Sequence, residues 1–206
     1  GIVGVLEGEG VIVVPVRSSG GDINPIMSIA YSNDGKYIVF VSGGHTMELW
    51  EVANNDIRVI KLFAKHENFV QSVAVSNDGK YIASTYFYDN SIKLWEVKGD
   101  KAEVIKTFKG HTDLVYSVAF SNSGNYIASS SYDNTIKLWE VNGDSSVAVK
   151  TFEGHTGWVY RAAFSHDDSY LVSASYDKTI KLWEVEGDNN SYIGSMEGDS
   201  NYPEDV

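Results

Sequence analysis

His111, a serine at 129 or 131, and Asp133 recur 44 residues later as His155, a serine at 173 or 175, and Asp177. These are the residue types of a hydrolase triad, in which an imidazole oriented by a carboxylate activates a hydroxyl. His66 and Asp89 begin a third set, with one extra residue between them, and each set is followed by a tryptophan, Trp95, Trp139 or Trp183. An active site is needed once, whereas a structural clip is needed in every repeat. An indole N–H only donates, a carboxylate only accepts, and His and Ser do both. A buried chain Trp–Ser–His–Asp therefore satisfies all four members and ties separate segments together. The expectation is a scaffold, with no catalytic residues, no enzyme activity and no cofactor.

Three histidines could instead hold zinc. His66, His111 and His155 stand at equivalent points of successive repeats, so packing carries them apart, and no metal is expected. His45 and His166 fall in turns and read as solvated. The segment GEGVIVV at 8–14 lacks the third glycine, the following helix and the lysine of a phosphate loop. Asn189-Asn190-Ser191 is a glycosylation sequon that has meaning only in a secreted chain.

The elements that must position these residues are visible in a repeated phrase. SYDNTIKLWEV at 131–141 returns as SYDKTIKLWEV at 175–185, as FYDNSIKLWEV at 87–97 and, worn, as SGGHTMELWEV at 42–52. The tryptophans Trp50, Trp95, Trp139 and Trp183 lie 45, 44 and 44 residues apart. In the third copy, VYSVAFS (115–121), YIASSSY (126–132), TIKLWEV (135–141) and VAVKTFEG (147–154) are separated by Gly, Asn, Asp and Ser. Short β-branched and aromatic runs between such turns are strands, and no stretch holds a helical period. Four strands per repeat make a small antiparallel sheet with apolar residues on both faces. In IKLWEV, Ile136 and Leu138 point one way and Trp139 the other. Such a sheet needs neighbours on both sides, and radial packing of four-stranded sheets gives a propeller.

In these positions the chain resembles the WD-repeat propeller family. Gly110-His111, Asp133 and Trp139 fit its pattern, as do Gly154-His155, Asp177 and Trp183. His66, Asp89 and Trp95 fit with Lys65 in place of the glycine, and Glu follows every Trp where the family expects Asp. The first repeat departs most, with Asp22 and Gly44 where His and Asp belong, so its hydrogen-bond network is expected to be missing. The resemblance covers residues 11–198. It implies an all-β fold, a β-propeller of four-stranded antiparallel blades at 25–65, 70–110, 114–154 and 158–198, followed by a polar tail at 199–206. It also implies the Trp–Ser–His–Asp network inside the blades that keep the pattern.

Family members commonly bind ligands on the narrow top face around the central channel. The positions that open a blade's first strand are Phe69 and Gln71, Leu114 and Tyr116, and Trp158 and Tyr160; those before the turn aspartate are Tyr88, Tyr132 and Tyr176. Most of them are aromatic, and Trp158 is the one tryptophan outside the repeated position. Aromatic side chains offer large rigid contact area with a polar tip, so these residues are the candidate protein-binding surface.

A net charge of −12 argues against nucleic acid and anionic membranes and for a protein or peptide partner carrying Lys or Arg. The absence of cysteine removes disulfides and thiolate metal sites and fits a cytoplasmic location. The expected role is a non-catalytic interaction scaffold. The alternative is a sensor or targeting domain of a larger protein, for example one fused to a kinase or a nucleotide-hydrolysing module. Outer strands are expected near 11–16, 57–64, 103–109, 147–153 and 191–197, one more than four blades use. Since propellers of this family commonly close with seven blades, or roughly 300 residues at this period, the chain reads as part of a larger ring or half of an oligomeric one. Uncovered blade edges would then favour self-association.

Overall fold

A computed structural model describes residues 26–42, 46–53, 56–62, 69–98, 101–187 and 192–197. The expected strand at 11–16, the tail at 199–206, and Asp22, Gly44, His45 and His66 lie outside the described residues.

Four sheets of four strands follow one another. Blade 1 holds β1 (Ile26–Tyr31), β2 (Tyr37–Ser42), β3 (Thr46–Ala53) and β4 (Asp56–Leu62). Blade 2 holds β5 (Val70–Val75), β6 (Tyr81–Tyr86), β7 (Ile92–Lys98) and β8 (Lys101–Phe108). Blade 3 holds β9 (Val115–Phe120), β10 (Tyr126–Ser131), β11 (Ile136–Glu140) and β12 (Lys150–Phe152). Blade 4 holds β13 (Val159–Phe164), β14 (Tyr170–Ser175), β15 (Thr179–Glu184) and β16 (Tyr192–Glu197). Every sheet is antiparallel in chain order, and no helix occurs among the described residues. The fold is the expected all-β propeller of four blades.

Turn chemistry explains the order. Gly35, Gly79 and Gly124 take φ of +74°, +68° and +76° in the turn between first and second strands. Asn90 and Asn134 take φ of +50° and +69° between second and third. Glycine and asparagine adopt this left-handed region at least cost. Asp168 and Lys178 occupy the corresponding places in blade 4 at +61° and +68°. Asp168 recovers something in return: its carboxylate accepts from the N–H groups of Asn122 (2.6 Å) and Ser123 (2.8 Å) in blade 3.

Alternation along the strands splits each blade into two apolar faces. The face bearing Ala128, Ile136 and Leu138 packs forward onto Val159, Ala162, Leu171 and Trp183 of blade 4. Ala83, Ile92 and Leu94 pack in the same way onto Val115, Val118, Phe120 and Trp139. Val39, Val41, Met47 and Leu49 pack onto Val70, Val73, Val75 and Ile82. Lysines on the outer strands also reach forward. Lys150 Nζ donates to the carbonyls of Glu184 (2.9 Å), Val185 (3.0 Å) and Gly187 (2.7 Å). Lys106 does the same to Glu140, Val141 and Gly143. Toward the axis, the first strands surround a cavity of about 260 Å³ lined by Ile26, Ser28, Ile29, Gln71, Ser72, Tyr116, Ser117 and Arg161.

Candidate functional site

The His, Ser and Asp side chains do converge. In blade 3 the Trp139 indole N–H donates to Ser129 Oγ at 2.8 Å, and Ser129 Oγ lies 2.7 Å from His111 Nε2. His111 Nδ1 lies 2.7 Å from Asp133 Oδ2. Blade 4 repeats the chain through Trp183, Ser173, His155 and Asp177 at 2.8, 2.7 and 2.7 Å. The network serines are thus Ser129 and Ser173. Ser131 and Ser175 instead donate to the Asp113 and Gly157 carbonyls.

Donor directions follow from the ends of the chain. Trp can only donate and Asp can only accept, so Ser donates to Nε2 and Nδ1–H donates to the carboxylate. This is the arrangement of a hydrolase triad, but Ser129 is 0% exposed and its oxygen already accepts the indole N–H. Its hydroxyl faces no substrate.

Burial on its own would raise the Asp133 carboxyl; hydrogen bonds from His111, Thr135 and the Thr112 N–H outweigh it and hold the group well below the usual range. Asp177 is lowered against the same burial by Thr179, Thr156 and His155. Burial lowers His155, with Lys181 adding to the shift and Asp177 opposing it. Thr135 and Thr179, whose hydroxyls donate to the aspartates at 2.6 Å, were not foreseen from the sequence.

In blade 2 the described members of the clip are Trp95, Ser84 and Asp89. Trp95 donates to Ser84 at 2.8 Å, while Asp89 accepts from the Ser91 N–H and hydroxyl. Blade 1 replaces it. Phe40 stands at the register position of Ser84, Ser129 and Ser173 and meets Trp50 edge-on at 4.8 Å. The Trp50 N–H turns to buried Glu48 at 3.0 Å. Burial raises the Glu48 carboxyl, and the indole hydrogen bond opposes that rise.

The other feature is an aromatic ladder. Tyr132 lies between Tyr116 and Trp158, stacked at centroid distances of 5.4 and 4.4 Å. Tyr176 continues from Trp158 at 5.4 Å, and Tyr160 meets Tyr116, Tyr132 and Tyr176 edge-on. Trp158 and Tyr176 are exposed, and Tyr116, Tyr132 and Tyr160 are half-buried. Burial raises the Tyr132 hydroxyl, with Tyr116, Tyr160 and Asp113 adding to it.

Four of the candidate residues lie apart from this ladder. Leu114, expected at the surface, is buried: it holds the place of Trp158 in blade 3, and an aliphatic side chain without a polar tip gains most from turning inward. Gln71 lines the central cavity. Tyr88 is exposed but stacks edge-on with Phe87, the extra residue of blade 2, at 5.0 Å. Phe69 is half-buried, and its carbonyl accepts the Phe87 N–H at 3.0 Å.

The family model described as WD domain, G-beta repeat matches residues 57–96, 102–140 and 146–184, more than half of the chain. The chain belongs to the WD-repeat family. Each matched WD repeat starts near the outer strand of one blade and ends on the tryptophan strand of the next. The repeat therefore straddles a blade boundary, where the forward packing and the lysine clips also lie. The matches leave out β1 to β3, the WD blade in which Phe40 and Glu48 supplant the clip. No curated protein matches the chain significantly.

Proposed function

We propose that this WD-repeat chain is a non-catalytic interaction scaffold that binds a partner protein or peptide on the ladder formed by Tyr116, Tyr132, Trp158, Tyr160 and Tyr176. WD-repeat domains are generally protein-interaction scaffolds. The observation that carries the reading for this surface is the mutual stacking of Tyr116, Tyr132 and Trp158 across a blade boundary, with Trp158 and Tyr176 left exposed. Rings already held by one another lose little freedom when a partner docks, so less of the contact energy is offset by ordering.

The partner is basic. The chain carries −12 net charge, and aromatic faces attract Lys and Arg. A randomised peptide library panned against the folded protein tests this. Peptides rich in Lys or Arg that bind wild type and not Trp158→Ala support the reading; peptides that bind both equally place recognition elsewhere.

A further inference from the structure

The three blade junctions inside the chain share one construction, and the two ends of the array carry its two halves uncovered. On the forward faces, Ile92 and Leu94 are 0% exposed and Ile136 and Leu138 are 0% and 3%, whereas Ile180 and Leu182 of blade 4 are 40% and 38%. Val172 and Met196 are exposed beside them, at the register positions where blade 3 has buried Ala128 and Phe152. On the backward faces, Val73 and Val118 are 3% and 6% exposed, whereas Ile29 of blade 1 is 59%. Tyr31 and Ile26 flank it in the open. Clusters join blade 1 to 2, 2 to 3 and 3 to 4, and none joins blade 4 to blade 1 among the described residues.

We propose that a second copy of the chain covers both ends: blade 4 of each copy packs its Val172, Ile180 and Leu182 face onto the Ile26, Ile29 and Tyr31 face of the other. Two arguments favour this occupant. Every copy carries both halves of a junction that the same chain already forms three times. The contact also joins unlike faces, and such a contact closes into a ring where the rotation between copies allows it. Two copies satisfy four faces and leave none open. One forward clip is not reproduced, because Gly194 takes the register position of Lys106 and Lys150, so these junctions rest on apolar burial.

Light scattering on the gel-filtered chain should give twice the 22.7 kDa of one copy. The double variant Ile180→Asp, Leu182→Asp should be monomeric, as should Ile29→Asp. All three side chains are exposed in the single copy, so circular dichroism should show the strands intact. Mixing the two variants leaves one junction with both faces intact, and native mass spectrometry should detect a heterodimer that neither forms alone. A monomeric wild type, a dimer indifferent to both variants, an open-ended series of larger species, or a mixture without heterodimer would each overturn the proposal. None of these outcomes depends on the aromatic ladder.

Discussion

Tyr132 of blade 3 lies flat on Trp158 of blade 4, the ring centroids 4.4 Å apart and the planes 5° from parallel. The contact spans two blades, so it orders the rim only where the boundary between them is packed. Replacing Trp158 with Ala removes the central ring and leaves the buried junction beneath it untouched. Binding of a selected basic peptide should weaken by roughly 2 kcal/mol or more, about thirtyfold. Isothermal titration of wild type and variant measures it, and an unchanged affinity would be evidence against this rim. Added salt should slow association of the same peptide, since the attraction is electrostatic.

Asp133 accepts from His111, the Thr112 N–H, the Thr135 N–H and the Thr135 hydroxyl. Asp133→Ala leaves buried His111 without its acceptor and should lower stability by about 1–3 kcal/mol. Asp133→Asn keeps one acceptor oxygen and should cost less. Urea midpoints of the two variants give the ranking, and equal losses would contradict it.

The pH profile follows from the same network. His155 titrates below its ordinary 6.5 in the fold, so the unfolded chain takes up its proton first. That contribution is complete above about pH 6.5 and is lost as pH falls below it. Asp133 and Asp177 are held below their ordinary 3.8, so their contribution is complete above that value and is lost as pH falls toward their folded values. Denaturation midpoints should be level at neutral pH, decline modestly under about pH 6.5 and fall steeply under about pH 4. In Asp177→Asn the acid-side fall should be shallower.

Lys178 adopts φ +68° where blade 3 uses Asn134 at +69°. Lysine is strained in this region and asparagine much less so. Lys178→Asn should therefore stabilise the chain by roughly 0.5–1 kcal/mol without altering blade 4. A raised thermal midpoint checks this; a lowered one would mean that the lysine makes a compensating contact.

Local rules made much of this molecule readable in its sequence. The 44-residue interval, the β-branched runs and the Asp–Asn turns lead directly to four-stranded blades, because each depends on neighbours in the chain. His111–Asp133 and His155–Asp177 were legible for a related reason: donors and acceptors recur in register. Across blades, legibility falls away. Lys150 looks like an ordinary strand lysine until three carbonyls of the next blade gather around it. Leu114 and Trp158 hold equivalent places, yet one turns inward and the other stacks outward, a choice made by side-chain chemistry and not by position. Phe40 could have been found by aligning YIVF with YIAS, since a phenylalanine where the clip needs a hydroxyl already announces a blade held differently.

The forward reach of every blade also bears on how the chain is made. Blade 2 or 3 leaving the ribosome has its backward face covered by the blade before it, while its forward face and its outer-strand lysine wait for residues not yet joined. At about 5–20 residues per second, the next 44-residue repeat takes roughly two to nine seconds to arrive. During that interval the newest forward face is open as well as the backward face of blade 1, and a chaperone that masks strands during synthesis has a fresh target a single blade deep.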